Sequence, residues 1–194
     1  FKPALVQTLV AAALVPSFIF ILAFYWHPEQ VYGPVWSWFI LGAGLLQCLS
    51  AFYAARFISA GGEKLAASLI AIGGLTVMGL ATFVLLSQAF ITLALGIMVV
   101  LVARADRQFD LPILGNFAAP GIGIVTYQIL MGVLGWSQFA LFDSTQMAVW
   151  ELVALHLGTL ALFTAAYLPA RGFRSTLASL LESSAWIVFA VFVY

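Results

Sequence analysis

The apolar residues of this chain fall in long runs, and short polar stretches separate them. A helix that crosses a bilayer core needs about 20 mostly apolar residues. The first run is Ala4–Trp26, in which Pro16 predicts a kink because proline removes a backbone donor. The polar stretch His27–Pro34 leads to a second run, Val35–Phe57, entered through Trp36 and Trp38. Ser59–Lys64, with Gly61–Gly62 inside it, predicts a tight turn. Leu65–Leu101 is too long for one span, and its polar break at Ser87–Gln88 predicts two: Leu65–Leu86 and Ala89–Ala103. The second of these covers only about 22 Å at 1.5 Å per residue, short of a core of about 30 Å. Arg104–Asp110 is charged and predicts a loop. Leu111–Trp136 follows, with Pro112 in its first turn and an interruption expected at Pro120–Gly121 and Gly123. After Ser137–Thr145, where Asp143–Ser144–Thr145 reads as an N-cap set, come Gln146–Leu168, a stop at Pro169, and a last run from Leu177 to Tyr194. The pattern predicts an all-α, polytopic transmembrane helix bundle of about seven spans forming one membrane region over residues 1–194.

The basic residues orient this bundle. Lys2, Arg56, Lys64, Arg104, Arg107, Arg171 and Arg174 all fall in alternate connections. The connections around His27–Pro34, Ser87–Ala89 and Ser137–Met147 hold no Lys or Arg. Lys and Arg near span ends stay cytoplasmic. The expected topology has the N-terminus, Lys2, Lys64, Arg107 and Arg171 in the cytoplasm, and Glu29 and Asp143 outside.

Composition agrees with a lipid solvent. The chain is 64% apolar and 7% charged, with a mean hydropathy of +1.13; soluble domains carry about a quarter charged residues. A net charge of zero gives no reason to expect nucleic acid. Cys48 is the single cysteine and reads as a small apolar packing residue. The chain starts at Phe1 and stops at Tyr194 inside an apolar run, which predicts a fragment of a longer polytopic protein. The expected partners are the lipid bilayer and further spans of the same or another chain.

Ionisable groups inside a membrane are costly, so they are the first candidates for chemistry. Glu151 is expected about one and a half turns into the sixth span, and His156 near its middle. Five residues rotate a helix by about 140–150°, so the two do not share a face. Glu182 is expected early in the seventh span, on its cytoplasmic side. Tyr127 and Gln128 are candidate hydrogen-bond partners for His156, and these five residues make up a candidate polar intramembrane site. The bland alternatives are an interface carboxylate, a core imidazole and a helix-start carboxylate. A metal site needs several converging ligands, and one deep His does not supply them. No phosphate-binding loop, dinucleotide motif or nucleophile elbow is present, so neither a cofactor nor a catalytic residue is expected. Gly115, Ala119 and Gly123 recur every four residues and predict a seam for close helix packing; Gly73–Gly74 and Gly79 predict the same in the third span.

Two segments carry a family resemblance. Leu86–Ser–Gln–Ala–Phe–Ile–Thr–Leu–Ala–Leu95, running to Val102–Ala–Arg–Ala–Asp–Arg–Gln–Phe–Asp–Leu–Pro–Ile113, resembles a recurrent segment of large bacterial polytopic proteins grouped as domain of unknown function 2339. There a short helix of the type Trp-Leu-Thr-Val-Ala-Leu-Ala runs into a charged turn and Leu-Pro; the Trp position here is Ala89 or Phe90. Tyr167–Leu–Pro–Ala–Arg171, followed by Leu181–Glu–Ser–Ser–Ala–Trp186, is similar to the end of that family. The resemblance implies the C-terminal part of a longer protein in a bacterial inner membrane. It transfers no catalytic residue.

Short loops and sparse intramembrane charge favour a structural or assembly role, a membrane scaffold, over catalysis. The alternative is a transporter or channel-like subunit using Glu151, His156 and Glu182. A third reading is a membrane-embedded lipid or glycan enzyme, for which only His27, Glu29, Asp143 and Glu151 are placed outward.

Overall fold

A computed structural model describes residues 34–57, 61–86, 88–111, 113–134 and 147–193. Within them the chain is all-helical. Six helices follow one another: α1 (Pro34–Ala55), α2 (Gly61–Leu85), α3 (Gln88–Phe109), α4 (Leu114–Val133), α5 (Val149–Ala170) and α6 (Ser175–Val193). Five of these, all but α3, are long and apolar enough to cross a membrane. The expected first span Ala4–Trp26 lies outside the described residues, as do Glu29, Pro112 and Asp143–Thr145.

The large apolar side chains on the outside fit a lipid-like solvent. Trp36, Trp38, Phe39, Leu46, Leu49 and Tyr53 of α1 are exposed, and so are Trp150, Leu157 and Leu168 of α5. A surface of this kind in water would be an aggregation site. Facing lipid, it needs no cover, and helices satisfy their own backbone groups.

Several predicted boundaries move. The break at Ser87–Gln88 holds, with α2 ending at Leu85 and α3 starting at Gln88. Gly61–Gly62 are not a turn; they open α2. Arg104–Phe109 are not a loop; α3 runs on through them and ends at Phe109. Asp110 then takes a left-handed conformation (φ 49°), as a residue just past a helix end does. Pro120 does not interrupt α4, which is continuous around it. Proline there leaves the carbonyl four residues earlier, that of Asn116, without its helical donor. One missing bond in the first two turns does not end the helix. Pro169 is likewise inside the last turn of α5 rather than after it.

The chain divides into two compact units. The described part of the first contains α1, α2 and residues 109–114. Its two helices form a hairpin, and the inward positions of α1 are Ser37, Ile40, Cys48, Ala51 and Ala55, at steps of three or four residues through Gly44. Ala67, Ala71, Gly74 and Ala81 repeat the pattern on α2. Such a stripe is small enough for backbones to meet. A Cβ on Gly44 would lie 2.8 Å from the Gly74 carbonyl oxygen, and one on Gly74 would lie 2.8 Å from that of Gly44. The Cys48 thiol fills the adjoining space and donates to the Ala71 carbonyl at 3.6 Å. At the far end of the hairpin the Phe52 and Phe109 rings stack 5.7 Å apart, and Lys64 Nζ pairs with Asp110 at 3.3 Å.

The second unit contains α3 to Gln108, α4 from Gly115, α5 and α6. Here α3 meets α5 by seating leucines in glycine notches. A Cβ on Gly158 would meet Leu93, and one on Gly96 would meet Leu162. The rising pairs, 93 with 158 and 96 with 162, make α3 and α5 parallel. Gly121 of α4 faces Val99, and Gly115 faces Asp106, so α4 runs antiparallel to α3. The buried side chains of this unit include Ile122, Val125, Ile129, Leu155, Phe163, Leu181 and Val188.

Candidate intramembrane polar site

Glu151 is the third residue of α5, not a residue one and a half turns inside it. Its Oε2 accepts a hydrogen bond from the Ala148 backbone N–H at 3.0 Å. This is one half of a capping box; Ala148 has no side-chain oxygen to return the bond. A carboxylate in the first turn also meets the positive end of the helix dipole. The helix-start role expected of Glu182 therefore belongs to Glu151.

His156 is buried, at 2% exposure, on the face of α5 that meets α6. Its Nδ1 lies 2.8 Å from the Leu152 carbonyl oxygen one turn back. A carbonyl only accepts, so Nδ1 carries a proton and donates. Nε2 has no hydrogen-bond partner among the described residues. The ring lies 5.5 Å from that of Phe192, and the two line a crevice of about 330 Å³ with Val133, Val149 and Val153. The expected bond to Tyr127 or Gln128 is not formed. The imidazole turns back to its own helix, where a carbonyl one turn away is always within reach.

Glu182 is the eighth residue of α6, two turns past its start, and it is exposed. It lines a separate groove of about 470 Å³ between α5 and α6, with Phe163, Thr164, Tyr167, Trp186 and Phe189. Glu151, His156 and Glu182 thus occupy three different surroundings and do not form one pocket. Among the described residues no three His, Cys, Asp or Glu side chains converge as a metal site would require. Along the seam expected on α4, a Cβ on Gly115 would collide with the Asp106 carboxylate. Gly123 is exposed with nothing within 4 Å of its Cβ position among the described residues, and Ala119 is half-buried. In the α1–α2 hairpin Gly74 is a contact, but Gly79 has open space.

The strongest polar feature was hidden in the expected loop. Asp106, at 1% exposure, accepts from Arg174 Nε at 3.0 Å on Oδ2 and from Arg174 Nη2 at 3.3 Å on Oδ1. The bidentate fork is the strong form of this pair. Arg174 also lies over the Phe173 ring, 4.7 Å from its centre. One residue on from Asp106, Arg107 Nη1 donates to the Leu168 carbonyl at 3.2 Å, in the last turn of α5 where the helix dipole is negative. These contacts tie the end of α3 to the α5–α6 turn, with Gly115 of α4 packed against the same carboxylate. A sequence signal existed: Val99, Val102, Ala103 and Asp106 continue one buried stripe at helical spacing, while Arg104, Arg107 and Gln108 point outward.

No family model, curated protein or solved structure matches the chain.

Proposed function

We propose that this chain is a structural or assembly module of a bacterial inner membrane, crossing it about seven times with its N-terminus and all seven basic residues on the cytoplasmic side. The observation that carries the reading is what the charged groups touch. Asp106, Arg174, Arg107, Lys64 and Asp110 each bind another part of the fold at a helix end, and Glu151 caps the start of its own helix. A machine that moves ions or protons needs such groups facing a shared path instead. The likeness to bacterial polytopic proteins of unknown function supports the location and adds no activity.

The second reading, a transporter or channel-like subunit, draws on one observation. His156 has an Nε2 without a partner among the described residues, inside the membrane region and beside a crevice. Proteoliposomes carrying a trapped pH dye separate the readings. The scaffold reading expects no protein-dependent proton flux, and the same null result for Glu151→Gln and His156→Leu. A flux that His156→Leu abolishes in folded protein establishes the second reading instead.

A further inference from the structure

The α5–α6 groove joins features that the scaffold reading leaves unused. Its volume is about 470 Å³, within the range of about 300–1,000 Å³ typical of small-molecule sites. Four of its lining residues are aromatic: Phe163, Tyr167, Trp186 and Phe189. One is a carboxylate, Glu182. Phe163 is fully buried and forms the floor, while Trp186 and Phe189 are open to whatever surrounds the helix.

The position of Glu182 makes this combination informative. Seven residues separate it from the α6 start at Ser175, which is about 10 Å along the helix axis. The basic residues of α5–α6, Arg171 and Arg174, lie beyond that start, and Arg174 is bound to Asp106. Glu182 forms no ion pair among the described residues. A carboxylate held a third of the way into a lipid-facing helix is costly unless a positive charge meets it. Aromatic faces attract cations, most strongly when water is excluded, and they reject anions for the same reason. A hydrated metal ion or a protonated sugar gains nothing from these apolar walls.

We infer that the α5–α6 groove is a binding site for a lipophilic organic cation, a quaternary ammonium or phosphonium carrying aromatic or alkyl groups. Such a cation enters laterally from the lipid. Its charge meets Glu182, and its apolar arms lie against Trp186, Phe189 and Tyr167. This site is independent of the structural role proposed above.

The test uses the full chain in lipid nanodiscs and two probes of equal shape and opposite charge, tetraphenylphosphonium and tetraphenylborate. Binding is followed by fluorescence quenching and by calorimetry. The cation is expected to bind and the anion not. Glu182→Gln is expected to weaken the cation about tenfold or more, and Trp186→Leu to weaken it by a smaller factor. Ser183→Ala, an exposed neighbour outside the groove, is expected to leave binding unchanged. Melting temperatures of all variants check that the fold is kept. Equal binding of both probes, or full cation affinity in folded Glu182→Gln, overturns the assignment.

Discussion

In the α1–α2 hairpin backbone meets backbone at Gly44 and Gly74, with no room for a Cβ on either. In the α3–α6 unit the contact is leucine into glycine notch and, at one end, charge to charge through Asp106 and Arg174. The difference follows from the solvent. Between helices in lipid there is little hydrophobic drive, so association comes from close packing or from polar pairs. A hairpin of two long helices can rely on small residues where its backbones meet, around Gly44 and Gly74, with Ile40 and Val77 packed further along. The second unit must also fix the α5–α6 turn against the ends of α3 and α4, and there the glycine stripe gives out. A bidentate pair, its carboxylate buried and its guanidinium partly exposed, sets that geometry instead.

Breaking the charged contact should have the largest effect. Arg174→Met leaves the Asp106 carboxylate buried without its partner, and loss of about 3–5 kcal/mol is expected for such a broken pair. Melting in detergent would measure it. The double variant Arg174→Met with Asp106→Leu should recover most of that loss, because no unpaired charge remains. Equal loss in single and double variants would show that the pair is not the clamp.

The hairpin should break by crowding. Gly74→Leu forces atoms into a space already holding the Gly44 carbonyl and the Cys48 thiol, at a cost of about 1–3 kcal/mol or more. Charge changes there should matter little. Lys64→Gln removes an exposed pair whose like are worth under about 1 kcal/mol.

Much of this was legible in the chain. The apolar runs and the Ser87–Gln88 break gave the helices, since length and hydropathy decide spans almost alone. Gly74 was legible as a packing residue, but the same reading put Gly79 and Gly123 at contacts where there is open space among the described residues, because a glycine alone does not say which face of a helix has a neighbour. Asp106 was not, because a charged stretch between two spans looks like a loop until the buried stripe through Val99 and Val102 is followed into it. Glu151 and Glu182 changed places because a helix start is fixed by local capping, here at Ala148, and apolar runs locate it only within a turn.

Smaller effects sharpen the same contrast. Glu151→Gln keeps the acceptor for Ala148 N–H but removes the charge at the α5 start, for an expected loss of about 0.3–1 kcal/mol. Gly123→Ala should have the opposite sign. With open space at its Cβ, it should gain about 0.5–1 kcal/mol from helix propensity, whereas Gly115→Ala should lose stability against Asp106. Melting of the two alanine variants side by side tells a packing glycine from an idle one.

The account rests on helices that cross a membrane with their basic ends on one face. Helix α5 tests this alone, because Ala148 and Arg171 flank its 22 residues, about 33 Å of helix. In a Cys48→Ala background, single cysteines at positions 56, 148 and 171 would be treated with an impermeant maleimide in sealed vesicles of known orientation. The expected result is that Arg56→Cys and Arg171→Cys react only from the cytoplasmic side and Ala148→Cys only from the other. Reaction of positions 148 and 171 from the same side would contradict it.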